Sequence, residues 1–280
     1  MRSSWPESPP PFRHGSGRLD LARALVREGM PLSARVIVNR VWKHHFGTGL
    51  VETPSDFGAQ GARPSHPELL DDLTSRFVAN RWSLKWLHRE IMLSAAYQLS
   101  SQGAAKPQAV DPDNRLLWRM NRRRLEVEAW RDALLAVTGT LRREMGGPAR
   151  ELSDPGHRRR TLYGTITRRE LTDLLRLHDV PDATTHSAGR VPTTTPLQGL
   201  FVLNSPLMQA QSAALVRRLK AEAPGGTEER VRRAYLLLYG RPATAGQVRL
   251  AVEFLGMGGD AAWEEYAQVL LAANEFLYVD

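Results

Sequence analysis

The sequence predicts a mainly α fold: a multi-helix orthogonal bundle with long loops and at most one short β-hairpin or strand pair. Three observations lead to this fold class. Apolar residues recur at helical spacing through most of the chain, and residues that cap helices precede many of these runs. One short segment, 161–166, has the alternating, β-branched pattern of a strand. A chain of 280 residues with this pattern can bury a core without covalent cross-links.

The helical runs mostly start at residues that cap helix N-termini, or directly after glycine or proline. Ser65 and Thr167 are each followed three residues later by glutamate, which is the pattern of a capping box. Thr244 is followed by Gln247 in the same pattern. The predicted helix starts, in chain order, are Leu21, Ser33, Ser65, Ser83, Arg123, Thr167, Thr195, Ser205, Thr227, Thr244 and Asp260.

Glycine and proline mark the connections between these helices. They predict a long irregular loop over 47–64, a linker over 100–114, an irregular segment over 139–160 and a further loop over 180–195. Loops of this length inside a compact domain are commonly functional. The loop 47–64 is therefore a candidate location for a functional site.

The same signals predict the domain organisation. Residues 1–17, rich in proline, serine and glycine, are predicted to be a flexible tail, and 18–280 a single helical domain. An alternative division has two lobes, 18–138 and 161–280, joined by the irregular segment 139–160.

Composition excludes several kinds of protein. Hydrophobic residues make up 42% and charged residues 24% of the chain, which is typical of a globular protein. The absence of cysteine excludes disulfides, thiolate nucleophiles and haem attachment through a CxxCH motif in this chain. No apolar run approaches the ~20 residues of a membrane span. The N-terminus also lacks a signal-peptide pattern, so we expect neither a span nor a leader here.

A dense group of polar side chains lies between Asn39 and Glu68. Imidazole and carboxylate groups together could act as general acid and base or bind a divalent metal ion. Successive helical residues point about 100° apart, so neighbouring histidines cannot readily share one ion, and we predict no metal site. An enzyme site that uses one of them with the other candidates stays open as an alternative. The catalytic candidates are His44, His45, His66, Asp56 and Glu68.

A structural role for the same region is favoured. Asp56 can cap a turn, Glu68 can complete the capping box, and Arg40 can hold the loop against the preceding helix. Trp42 then fills the core. In this interpretation the polar atoms of the region are used to hold the fold.

Arginine pairs and triplets account for much of the formal net charge of +8. Arginine binds phosphate and sulfate through two parallel hydrogen bonds, so an anionic polymer is a candidate partner. The clusters are spread along the chain, so solvated helix faces are the favoured interpretation. The predicted binding residues are Asn39, Arg40, Trp42, Arg122, Arg123 and Arg124.

The string RVIVNRVWKHHFGTGLV at 35–51 is specific, and TPSDFG at 53–58 and PSHPELL at 64–70 follow it. Together with WSLKWLH at 82–88 and the ending NEFLYVD, these segments resemble the C-terminal domain of unknown function of large planctomycete proteins that also carry cytochrome-c-like modules. The resemblance runs from about Arg18 to the last residue. It implies a mostly helical, extracytoplasmic module beside a separate haem domain, with no established activity and no cofactor in this chain.

These observations predict a binding or scaffold module that docks partner domains or an anionic polymer such as a glycan. A hydrolytic or metal-dependent enzyme using the 39–68 cluster is the alternative. Nucleic-acid binding through the arginine clusters is a weaker one. The sequence does not decide whether the protein is an enzyme.

Overall fold

A computed structural model describes residues 11, 13–27, 30–154 and 156–279. The predicted tail 1–17 falls mainly outside these residues. The described chain is mainly helical, with one two-stranded antiparallel pair, and this confirms the predicted fold class. Within the described residues, no helix combines the length and apolar character needed to cross a membrane.

The helices are numbered in chain order, and their bounds follow. The first unit of the chain holds α1 (Arg18–Arg27), α2 (Met30–Phe46), α3 (Pro67–Ala79), α4 (Leu84–Met92) and α5 (Ala105–Val110). The remainder holds α6 (Val127–Val137), a 3-10 turn (Thr161–Tyr163), α7 (Asp173–Leu177), α8 (Pro196–Asn204), α9 (Pro206–Glu222), α10 (Thr227–Tyr239), α11 (Ala245–Ala272) and α12 (Asn274–Leu277). The strands are β1 (Arg123–Arg124) and β2 (Tyr278–Val279).

The described chain separates into two compact units that divide between Arg122 and Arg123. The segment 139–160, where the alternative two-lobe prediction placed the joint, lies inside the second unit. Each unit has its own apolar core.

The core of the first unit follows from helical spacing on α2. Ala34, Val38, Trp42 and Phe46 recur every four residues, which places them on one face of the helix, and all four are buried. The rings of Trp42 and Phe46 stack with centroids 4.3 Å apart. Leucines and aromatic residues of α3 and α4 complete this core: Leu70, Leu73, Phe77, Leu87 and Ile91.

The core of the second unit is built by α6, α9, α10 and α11. Its two ends meet in the strand pair, in which Arg123 lies opposite Val279 and Arg124 opposite Tyr278. The backbone N–H of Leu125 donates to the carbonyl of Leu277 at 2.8 Å and continues the pairing. The first and last residues of this unit are therefore bound to each other.

The prediction of a strand at 161–166 was wrong. Residues Thr161–Tyr163 form a 3-10 turn instead. Asp132 on α6 accepts hydrogen bonds from the backbone N–H and the hydroxyl of Thr161, at 2.6 and 2.7 Å. This carboxylate binds the backbone donor of Thr161, and the β pairing found in 161–166 is one isolated bridge between Gly164 and Arg150.

The capping boxes predicted at Ser65 and Thr167 were also wrong. The hydroxyl of Ser65 donates to the carbonyl of Leu50 at 3.3 Å. Helix α3 begins at Pro67, and its N-cap is His66, whose side chain does not cap the helix. The hydroxyl of Thr167 donates to the carbonyl of Glu170, and α7 begins only at Asp173. In both places the helix begins later than predicted, so the hydroxyl lies outside the N-cap position and donates to a backbone carbonyl.

Other predicted helix starts are confirmed. Ser83 and Ser205 cap α4 and α9, and Thr195 and Thr244 form complete capping boxes on α8 and α11. The predicted separate helix at 260 is the second half of α11, whose backbone breaks from helical geometry at Gly259.

Candidate functional site

Asn39 ties the long loop after α2 to the helix itself. The residue is fully buried on α2. Its amide nitrogen donates to the carbonyl of Val51 at 3.0 Å, and its amide oxygen accepts from the N–H of Val51 at 2.8 Å. Gly49 lies so close that an added Cβ would come within 2.8 Å of the Asn39 oxygen. The amide of Asn39 therefore satisfies a buried piece of loop backbone.

The rest of the loop is held by its own side chains. The hydroxyl of Thr53 donates to the carbonyl of Asp56 at 2.7 Å and accepts from the N–H of Ala62 at 3.0 Å. The carboxylate of Asp56 accepts from the N–H of Gly58 at 2.9 Å. Position 61, like position 49, has no room for a side chain, since a Cβ added to Gly61 would lie 2.2 Å from the carbonyl oxygen of Asp56. Asp56 thus caps a turn.

The other catalytic candidates of this region do not form one cluster in the structure. His66 lies beside the hydroxyl of Ser65, with 3.0 Å between its Nδ1 and the Ser65 oxygen. Glu68 and His44 are exposed, and His45 is paired with His88 of α4 at 2.8 Å. Across the part of the chain that the structure describes, no group of three or more histidine, aspartate and glutamate side chains could hold a metal ion.

The predicted binding residues near the N-terminus divide by burial. Asn39 and Trp42 are buried, whereas Arg40 is exposed on the same helix. A ligand could therefore reach Arg40 without any change in the loop, but it could not reach the other two.

The arginine triplet 122–124 spans the division between the two units, and Arg122 and Arg124 each bind within their own unit. The Nε of Arg122 donates to the hydroxyl of Ser101 at 3.4 Å. Arg124 donates to the side-chain oxygen of Gln198 at 2.5 Å and to the carbonyl of Thr193 at 3.1 Å. Arg123 lies in β1. The hydrogen bonds of Arg124 to the side chain of Gln198 and the carbonyl of Thr193 give this arginine a structural role.

A different set of arginines faces solvent in the second unit, and we call it the basic surface: Arg142, Arg150, Arg158 and Arg217. The backbone N–H of Arg142 donates to the carbonyl of Arg158 at 2.8 Å, so these two residues are neighbours in space. Arg142, Arg150 and Arg158 line an opening of about 290 Å³. Arg158 also lines, with Arg217, a shallow groove of about 620 Å³.

None of the four forms an ion pair with a described residue within 4.0 Å, whereas Arg218 and Arg159, their neighbours in sequence, have partners. Arg218, next to Arg217, binds Glu222 at 2.6 Å and donates to the last carbonyls of α6. Arg159, next to Arg158, donates to the carbonyl of Pro148 at 3.2 Å and covers the ring of Tyr163 at 4.0 Å. These neighbours support the backbone. The opening and the groove each also contain one carboxylate, Glu144 and Glu222, and Glu222 is bound by Arg218 and Arg233.

A cavity of about 710 Å³ also lies in the second unit, beside α6, α7 and α9. Its lining includes Arg131, which is 1% exposed and donates to the carbonyl of His157 and to Thr161. Burial lowers the pKa of both Arg131 and His157, and the charge of Arg131 lowers the pKa of His157 further. The carboxylates of the same lining are Glu151, Asp154, Glu170 and Asp173. Because both signs of charge occur, the cavity favours no single class of charged ligand.

Sequence reasoning chose the arginine triplet and missed the basic surface. The doublet at 142–143 and the triplet at 158–160 were visible, but they fall in a segment without helical or strand periodicity. Only the backbone pairing between Arg142 and Arg158 brings them together.

Comparison with known proteins agrees with the resemblance at the level of the family. The sequence profile of PSD1, described as a protein of unknown function (DUF1553), matches residues 17–255. No curated protein matches the chain, and no solved structure does. The association with planctomycetes and with cytochrome-c-like modules stays a prediction. Since the match covers most of the sequence, the chain belongs to the PSD1 family of proteins of unknown function.

Proposed function

We propose that this protein is a binding module for an anionic polymer, a sulfated or carboxylated glycan, and that the basic surface is where the polymer binds. The observation that supports the proposal is the contrast between neighbouring arginines. Arg142, Arg150, Arg158 and Arg217 are exposed without a carboxylate partner, whereas adjacent arginines are used in ion pairs or in hydrogen bonds to the backbone.

The chemistry of arginine suits this ligand. The guanidinium group presents parallel N–H donors that match the oxygens of a sulfate or carboxylate group. A polymer that repeats such groups can contact several arginines at once, so individually weak contacts add. Each contact is exposed to solvent, so added salt should screen it.

A glycan is favoured over nucleic acid by the lack of support for base stacking at this surface. Single-stranded nucleic acid is bound largely by aromatic side chains on which bases stack. The aromatic ring beside the basic surface, Tyr163, is covered by the guanidinium of Arg159. An extracytoplasmic location, as the resemblance implies, is part of the same proposal.

The test compares two triple variants that each remove three positive charges. The first, R142Q/R158Q/R217Q, removes most of the basic surface. The second, R115Q/R176Q/R232Q, removes exposed arginines that form ion pairs elsewhere, with side chains 60%, 71% and 54% exposed. Binding is measured by titration calorimetry with a sulfated glycan, a carboxylated glycan, a neutral glucan and single-stranded DNA, at low and high salt.

We expect the wild-type protein to bind the anionic glycans with an affinity that falls steeply as the salt concentration rises, and to show no binding of the neutral glucan. The first variant should bind at least about tenfold more weakly, and the control should stay within about twofold. Equal losses in the two variants would mean that net charge alone is responsible. DNA binding as tight as glycan binding would identify a general polyanion surface and contradict the preference for a glycan.

A further inference from the structure

Two histidines from different helices meet in the first unit. The Nε2 of His45, near the end of α2, lies 2.8 Å from the Nδ1 of His88 on α4. The ring centroids are 5.0 Å apart and the planes are inclined by 65°. The ring of Tyr97 also packs edge-on against His45, with ring centroids 5.3 Å apart. Both facing atoms are nitrogens, so one ring donates to the other in the neutral pair.

Two changes would let this pair bind one ion. The donating ring carries its hydrogen on its other nitrogen, a tautomer exchange with solvent in which no proton is lost. The rings also turn, so that the two lone pairs, which face each other across the 2.8 Å contact, converge on one point. His45 is half-buried and held by Tyr97, whereas His88 is exposed. One nitrogen is therefore positioned by packing, and the other has room to adjust.

We infer that His45 and His88 together bind a divalent transition-metal ion such as Cu²⁺ or Zn²⁺. Metal–nitrogen bonds of about 2.0–2.1 Å in tetrahedral geometry separate the two nitrogens by roughly 3.3 Å. The observed 2.8 Å would have to open by about half an ångström, and the ring of His88 would have to turn so that the two lone pairs converge on the ion. His88 is exposed, so its ring has room to turn. Water fills the remaining positions, because no third histidine, aspartate or glutamate in the described chain joins a metal-holding group.

The chemistry of the two ligands sets the selectivity. Neutral imidazole suits copper, zinc and nickel, whereas magnesium and calcium take oxygen ligands. Among divalent ions Cu²⁺ binds nitrogen sites most tightly, so it is the most sensitive probe. The same two helices also carry Lys43, Lys85 and Arg89, whose positive charges oppose a cation and favour modest affinity.

This inference departs from the sequence-based expectation of no metal site. His45 was a candidate together with His66, Asp56 and Glu68, and His88 was not among the candidates. The pairing joins residues 43 positions apart, which local spacing does not indicate.

The experiment titrates Cu²⁺, Zn²⁺ and Mg²⁺ into the full chain, produced without a histidine tag. The wild-type protein is compared with His45→Asn, His88→Asn and the double variant. His66→Asn is the matched control, since it removes a histidine of the same unit that lies outside the pair. We expect one Cu²⁺ site per chain, no Mg²⁺ binding, at least about tenfold weaker Cu²⁺ affinity in each single variant, and a change within about twofold in the control.

Electron paramagnetic resonance of the Cu²⁺-loaded wild-type protein gives a readout that does not require the variants to fold. Nitrogen superhyperfine splitting from two imidazoles is expected, falling to one in His88→Asn. A double variant that binds Cu²⁺ as tightly as the wild type would overturn the inference, as would a wild-type spectrum without two nitrogen ligands.

Discussion

Asn39 and Arg142 show how burial separates two kinds of polar residue in this chain. Asn39 has no exposure, and each of its amide atoms is bonded to the backbone of Val51. Arg142 is exposed, and it forms no ion pair with a described residue. Buried polar atoms must be satisfied within the fold, so Asn39 has little bonding capacity left for a ligand. The exposed arginine keeps all of its capacity.

His178 leads to a prediction about pH. The residue is 8% exposed, stacks on Trp130 with centroids 5.6 Å apart, and bonds through Nδ1 to the carbonyl of Leu174 at 2.8 Å. Burial lowers its pKa below the ordinary value of 6.5. Between the folded pKa and 6.5 the unfolded chain binds more protons, so acid favours unfolding. His157 contributes with the same sign, because its pKa is lowered as well.

We expect the melting temperature of the wild-type protein to fall as the pH is lowered from 7.5 to 5.5, and His178→Phe to reduce that fall. Phenylalanine keeps the stacking on Trp130 but cannot be protonated. Removing this titration should make the fall in melting temperature between pH 7.5 and 5.5 smaller. Calorimetric melts from pH 8.5 to 7.5 serve as the control, since both proteins should behave in parallel there. An unchanged pH dependence in His178→Phe would contradict this assignment.

Among the helices, capping residues show where local sequence is sufficient and where it is not. Ser83 and Ser65 both precede an apolar run, yet only Ser83 caps its helix, accepting from the N–H of Trp86 at 3.3 Å. Ser65 lies one residue before the N-cap of α3, His66, and its hydroxyl donates to the carbonyl of Leu50, fifteen positions earlier. A cap depends on atoms within one turn, but the residue at which the helix begins also depends on how the preceding loop folds back.

Helix α11 provides the prediction at this scale. Gly259 has φ 60° and ψ −143°, a conformation that residues with a Cβ rarely adopt, whereas Gly256 lies in the regular helix. An added Cβ would meet nothing within 4 Å at either position. Space is therefore equal at the two sites, and only the backbone conformation differs.

We expect Gly256→Ala to stabilise the protein by about 0.5–1 kcal/mol, because alanine loses less backbone entropy in a helix. Gly259→Ala should destabilise it by about 1–3 kcal/mol through backbone strain. Urea unfolding of the two variants beside the wild type measures both effects. Stabilisation by both substitutions would show that α11 can straighten without cost.

For the whole molecule, the organisation into two units follows from two separate cores. The second unit, 123–279, joins its own ends through β1 and β2. Helix α6 contributes Val127, Trp130 and Leu134 to the core of that unit, exposed by 2%, 3% and 0%. A boundary after α6 would therefore remove core residues from the second unit.

Two fragments distinguish these boundaries. We expect residues 123–279, expressed alone, to be helical by circular dichroism and to unfold in one cooperative transition. Residues 139–279 lack α6 and β1, so they should show no cooperative transition, because the lost side chains leave the core open. Cooperative unfolding of the shorter fragment would instead support the division at 139–160 that the sequence suggested.

The sequence by itself determined the mainly helical class, many of the helix starts and the kinship to a family of unknown function. These features depend on residues within about one helical turn of each other, so the spacing of apolar residues and caps is enough to predict them. The polar loop after α2 was likewise expected to hold the fold, and the bonds of Asn39 and Asp56 are of that kind.

Only the tertiary structure decided which distant residues meet. The pairing of β1 with β2, the contact of His45 with His88 and the approach of Arg142 to Arg158 all join segments that no local pattern connects. Such contacts form only when the chain has folded and residues that are distant in sequence lie close together. For this reason the arginine triplet 122–124 was chosen from the sequence, whereas the basic surface was found in the fold.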